Sequence, residues 1–145
     1  MNIKSYGNIN PEKVNSFEQF IGFALPHDYR NFLLKHNGGS IRGTRFSVKE
    51  LNEEISLHVL YGISTDNSDL SLESWYEEYE EDLMSNALII GHDRGSGMIV
   101  LINDSENNGV YFWDHAWHFE QSDEDNNTYK ISDSFNSFIE KLETE

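Results

Sequence analysis

The sequence predicts an α+β fold: a mostly antiparallel sheet with an N-terminal helix pair, one inserted helix and a C-terminal helix. Three observations carry this. Residues 9–36 hold two stretches of 3.6-residue apolar periodicity, each closed by glycine. Residues 87–113 hold short apolar β-runs separated by polar, glycine-containing turns. Helical spacing returns only at 68–84 and near the C-terminus. Elements arrive in blocks rather than in the strict alternation of a doubly wound fold.

Asn10 followed by Pro11 reads as the N-cap and first position of a helix. Val14, Phe17 and Phe20/Ile21 give it an apolar stripe that ends near Gly22. After a tight link at 22–24 comes LPHDYRNFLLKHNGG, residues 25–39. Pro26 suits a first helical turn, where a missing N–H costs nothing. Tyr29, Phe32, Leu33 and His36 then recur at i, i+3, i+4 and i+7. Asn37-Gly38-Gly39 stops the helix, because glycine reaches the left-handed C-cap conformation without a steric penalty.

Arg45-Phe46-Ser47-Val48 alternates like a half-buried strand, and 57–63 is a β-rich run. In 68–84 the rhythm becomes helical: Leu72, Trp75, Tyr76, Tyr79 and Leu83 share a stripe, and Glu77, Glu78, Glu80, Glu81 and Asp82 fill the other positions. The start is either Ser74, with Glu77 as a capping box, or Ser71. Residues 87–91 and 97–102 form a hairpin around His92-Asp93-Arg94-Gly95-Ser96. Residues 110–113 add a strand, and 128–131 a short edge strand after the acidic loop 123–127. Phe135, Phe138, Ile139 and Leu142 mark a closing amphipathic helix.

No repeat or linker divides the 145 residues, so a single domain over 1–145 is expected. No apolar run approaches the ~20 residues that span a bilayer, and MNIKSYGNINPEK at the start has no apolar signal region. The chain has no cysteine, which excludes disulfides, thiolate metal sites and cysteine nucleophiles. A cytoplasmic protein without membrane association is the simplest expectation.

The net charge of −16 is unevenly placed. Residues 1–60 hold seven Lys/Arg and six Asp/Glu, while 61–145 hold three and twenty. Such a field repels nucleic-acid phosphates and attracts a basic protein, speeding the encounter. Ordinary acidic solvation is the bland alternative.

Candidate chemistry is sparse. His115 and His118 bracket Ala116-Trp117 beside Asp114, with His92-Asp93 elsewhere, and His and carboxylate ligands of this kind suit zinc or iron. The segment follows a β-run, however, and has no HExxH arrangement. Residues 91–97 resemble a phosphate loop but lack its terminal Lys-Ser/Thr and precede a strand where a helix is needed. Ser96 between glycines is not a nucleophile elbow. No nucleophile–base–orienter set stands out, so no catalytic residue, cofactor or metal ligand is assigned.

Two segments suit a protein interface. Five acids within 77–82 repel one another unless a cation sits nearby. Alternation along 111–120 sends about half of its rings to each face. One face belongs in the core and the other is either buried or exposed beside Asp114, Glu120 and Asp123. The candidate partner-binding residues are therefore Glu77, Glu78, Glu81, Trp113, Asp114, Trp117, Glu120 and Asp123, with Asp93 added from the glycine-rich turn 91–97, whose role is either structural or on the binding face.

LP-x-DY-x-x-FL followed by N-GG resembles the signature of the SUKH superfamily, named after a fungal regulator of cell-wall glucan synthesis and abundant in bacteria. The matching positions are Leu25, Pro26, Asp28, Tyr29, Phe32, Leu33, Gly38 and Gly39. Phe17-Glu18 and Gly22 upstream, with LIIGHDRGSGMIVLIND and VYFWDH downstream, extend the likeness over nearly the whole chain. The resemblance implies the α+β fold and a bacterial immunity protein that sequesters a cognate toxin domain, such as a basic nuclease, by stoichiometric binding. Two other readings stay open: a regulatory interaction module like the fungal namesake, and a metal-dependent enzyme using His92, Asp93, Asp114 and His115. A homodimer through the aromatic stretch is also compatible.

Overall fold

A computed structural model describes residues 3–144. Helix α1 (Pro11–Ile21) begins where Asn10 accepts the Lys13 amide at 2.9 Å and ends at left-handed Gly22. Helix α2 (His27–His36) begins one residue later than the sequence suggested. Pro26 is its N-cap, with φ −57°, and the Pro26 carbonyl accepts the Arg30 amide at 2.9 Å. The Glu18 carboxylate joins the two helices, accepting the Leu25 amide at 2.7 Å and Arg30 Nη1 at 2.7 Å.

The stop after α2 is also more specific than expected. Asn37 itself takes the left-handed conformation, with φ 46°. Its side chain is buried and bonds Ile63 twice: Nδ2 donates to the carbonyl at 3.0 Å and Oδ1 accepts the amide at 2.8 Å. Gly38 follows at φ 77°, so close to the next strand that a Cβ would lie 2.5 Å from the carbonyl oxygens of Leu60 and Tyr61. Only glycine tolerates both conditions.

The sheet runs β1-β2-β4-β5-β6-β7-β8, with antiparallel pairing throughout. Its strands are β1 (Ile3–Ser5), β2 (Gly39–Ile41), β3 (Thr44–Val48), β4 (Glu53–Leu60), β5 (Ala87–Asp93), β6 (Met98–Ile102), β7 (Gly109–Trp113), β8 (Thr128–Ser132) and β9 (Glu143–Thr144). Strand β3 pairs the first half of β4 and, on its other edge, β9. The sequence did not announce β1, β2 or β9. The expected edge strand is β8, which ends the path.

Helix packing on both faces explains why β5 and β6 read as apolar runs rather than alternating strands, and all five residues of β6 are buried. On one face lie α2 and α4 (Phe135–Lys141). Phe135 meets Tyr29 and Phe32 at 4.9 and 5.0 Å between ring centroids, and Phe46 joins Phe138 to Phe112 at 5.5 and 6.2 Å. Asp28 ties these helices together, its Oδ2 accepting the Asn136 amide at 2.9 Å.

Helix α3 (Leu72–Tyr79) lies on the opposite face, within the excursion that joins the paired strands β4 and β5. The base of this excursion is pinned: the Gly62 amide donates to the Leu70 carbonyl at 3.1 Å, and the Leu72 amide to the Gly62 carbonyl at 2.8 Å. Ser71 is the N-cap position, but its hydroxyl bonds Thr65 rather than the helix.

Candidate functional site

The second face of the sheet carries an aromatic ladder. Trp75 of α3 stacks on Tyr61 at 5.1 Å and on Tyr79 at 6.0 Å, with interplanar angles of 12° and 5°. Tyr79 then meets Trp113 edge-on at 5.7 Å and His115 at 6.0 Å. At the other end the Tyr61 hydroxyl lies 2.5 Å from His92 Nδ1, and the His92 ring faces His58 at 5.3 Å. Burial, and secondarily the facing His58, holds the His92 pKa below the ordinary histidine value. Register explains the assembly. Met98 pairs with both His92 and Trp113, so these three residues project from the same face on adjacent strands.

Beside the ladder is a groove of about 400 Å³. Val100, Ile102 and Trp113 line its apolar side, while Asp82, Met84 and Glu124 belong to the flanking turn and loop. Both carboxylates are exposed, as is 48% of Met84.

The acidic run is arranged differently from the expectation. Helix α3 stops at Tyr79, so only Glu77 and Glu78 are helical, while Glu80, Glu81 and Asp82 occupy the turn that follows. All five are exposed. Ending the helix there keeps the five acids from sharing one helical surface, which lessens the repulsion expected of them.

Asp93 and Asp114, both expected on the binding surface, are buried, at 7% and 1% exposure. Each builds a turn. Asp93 Oδ1 accepts the Gly95 and Gly97 amides at 2.8 and 3.0 Å. Desolvation nevertheless raises the Asp93 pKa, against the opposing pull of those amides. Because a carboxylate of this chain already occupies them, the 91–97 turn offers neither amide to a phosphate. Asp114 Oδ1 and Oδ2 accept the His118 and Phe119 amides at 2.9 and 3.0 Å.

The loop that Asp114 organises presents Trp117, 52% exposed and left-handed at φ 54°. A bulky residue in that region is strained, which marks the position for functional attention. The aromatic stretch thus divides three ways: Phe112 enters the core, Tyr111 and Trp113 lie half-buried on the second face, and Trp117 faces solvent. Glu120 is exposed, and so is Asp123, whose Oδ1 accepts the Asp125 and Asn126 amides at 2.9 and 2.8 Å.

The histidines and acids of the metal-enzyme alternative do not converge: among the described residues no three His, Asp or Glu side chains form a potential ligand set. No described helix is long and apolar enough to cross a membrane. Sequence reasoning missed His58, Tyr61, Val100 and Ile102 as contributors to the second face. Met98 pairing both His92 and Trp113 is the signal that unites them, and it needs the register.

Comparison with known proteins agrees with the fold. The model of the SMI1 / KNR4 family (SUKH-1) matches residues 8–141. A relative is the SPbeta prophage-derived uncharacterized protein YokK of Bacillus subtilis (strain 168), 27% identical, with 94% of this chain aligned to 77% of that protein.

Proposed function

The chain belongs to the SMI1 / KNR4 family (SUKH-1), and from that premise we propose that it is a non-catalytic immunity protein that neutralises a cognate toxin domain by stoichiometric binding. The observation that carries this is the make-up of the second face: half-buried rings and an apolar groove, edged by exposed carboxylates. Apolar and aromatic surface supplies affinity, because rings such as Trp and Tyr dominate binding energetics. The surrounding negative charge supplies steering toward a basic toxin, such as a nuclease, and disfavours neutral or acidic competitors. Neutralisation follows by occlusion: the bound chain covers the surface through which the toxin reaches its substrate. The prophage origin of the relative accords with this reading.

The test is a pull-down with tagged protein from its native cytoplasm at low salt. It is followed by inhibition of the captured protein's activity and by association kinetics across a salt series. A single basic partner inhibited at one-to-one stoichiometry is expected. Its association should slow steeply with salt, since the Debye length falls to ~10 Å at 0.1 M. Salt-independent association would remove the steering mechanism. A captured partner whose activity is untouched would remove the immunity role in favour of a regulatory module.

A further inference from the structure

We infer that the groove beside the aromatic ladder seats one arginine or lysine side chain of a basic protein partner. The inference rests on the partner-binding reading above and names the chemistry at its centre. The groove volume of about 400 Å³ lies toward the lower end of the ~300–1,000 Å³ typical of pockets for small groups. Val100 and Ile102 are nearly inaccessible within the sheet, and Trp113 adds an indole. Asp82 and Glu124 bring exposed carboxylates to the same groove.

A long cationic side chain has the matching division of character. Its methylene stem lies along apolar surface while its charged head stays at the polar rim. A guanidinium also gains from the face of an indole.

Charge complementarity selects this occupant over others. Neither the Asp82 nor the Glu124 carboxylate is hydrogen-bonded or ion-paired to another described side chain. Lys130 on the neighbouring strand β8 is committed to Asp133 at 2.8 Å. Glu78, Glu80, Glu81, Asp123 and Asp125, all exposed, deepen the negative field along both flanking segments. A second copy of this chain, itself at −16, is repelled. An aliphatic side chain fits the apolar part but leaves the carboxylates uncompensated.

The experiment is a nuclear magnetic resonance titration of the full-length, ¹⁵N-labelled protein. The probe is the capped peptide acetyl-Gly-Arg-Gly-amide, compared with its citrulline counterpart, which has nearly the same shape but no charge. The arginine peptide is expected to shift the Trp113 indole resonance, assigned with Trp113→Phe, and the amides of Asp82, Val100 and Glu124. Saturation should fall in the millimolar range. Citrulline peptide, or added salt, should weaken the response at least tenfold, and so should the double variant Asp82→Asn/Glu124→Gln. Both substitutions are at exposed positions, so the fold is retained.

Equal responses to arginine and citrulline, a response elsewhere on the surface, or none at millimolar peptide would overturn the assignment. A cognate toxin that binds the double variant as tightly as the wild type would also overturn it, while leaving the immunity reading intact. An arginine-specific response at this groove, with no toxin inhibited, would uphold the groove and count against immunity.

Discussion

Replacing Tyr29 with phenylalanine should make the protein more stable. Tyr29 is 1% exposed, packed against Phe32 and Phe135, and its hydroxyl has no hydrogen-bond partner among the described residues. Burial pushes its pKa up, as expected for a phenol cut off from water. An unpaired buried hydroxyl costs about 1–3 kcal/mol. Removing it leaves a void the size of one oxygen atom, which at about 24 cal/mol per Å³ offsets only a few tenths of a kcal/mol. The net gain is about 1 kcal/mol or more, equivalent to roughly 2–4 °C in Tm for a chain near this size. Thermal and urea unfolding of both proteins measure it, with an unchanged urea slope showing that the transition is the same one. If Tyr29→Phe lost about 1 kcal/mol instead, the hydroxyl would have to be hydrogen-bonded in the folded protein, and the reasoning would fail.

Gly38→Ala should cost at least about 2–3 kcal/mol, because the added methyl collides with the Leu60 and Tyr61 backbone at a left-handed position; a change under 1 kcal/mol in urea denaturation would contradict the close approach. The folded-state pKa of His92 is depressed, so the folded protein binds fewer protons than the unfolded chain. Its contribution to stability is complete above about pH 6.5 and is lost as pH falls through the folded value. His92→Gln should therefore flatten the stability–pH curve below pH 6.5, and parallel curves for the two proteins would exclude His92 as the source. Trp117→Asn should leave Tm unchanged or raise it by the equivalent of up to about 1 kcal/mol, since asparagine accepts φ 54° more readily. The same change should weaken binding of the proposed partner tenfold or more by calorimetry, and intact affinity would show that Trp117 is not an anchor.

The helices with sharp chemical boundaries were the most legible elements. Asn10, Pro11 and Gly22 bracket α1 because capping and left-handed termination are local requirements, readable from the neighbours of each residue. The β5–β6 hairpin is similarly local. Strand β2 was hidden because Gly39 has no side chain to signal a strand. It is there because β1 comes so near that a Cβ on Gly39 would sit 2.6 Å from Ile3 Cγ1 and from the Lys4 carbonyl oxygen. Asp93 and Asp114 misled for a related reason. A carboxylate in a turn reads as solvent-facing until the amides it collects are known, and those amides are assigned by tertiary geometry. Trp113 was recognisable as an aromatic candidate, but not its sharing of one sheet face with His92, which is a property of strand register.

The pinned base of the excursion between β4 and β5 sets which changes of length the chain tolerates. The Gly62–Leu70 and Gly62–Leu72 hydrogen bonds close the chain at the first residue of α3, and Ala87 re-enters the sheet after it. Closing a longer loop costs only about 0.6 kcal/mol for each doubling of its length. Extra residues in the exposed turn 80–82 would therefore cost little, while Trp75, Tyr76 and Tyr79 keep α3 seated on the sheet and core. The fold thus holds the sheet and the seat of α3 fixed and leaves the turn after α3 as the place where the chain tolerates a change of length.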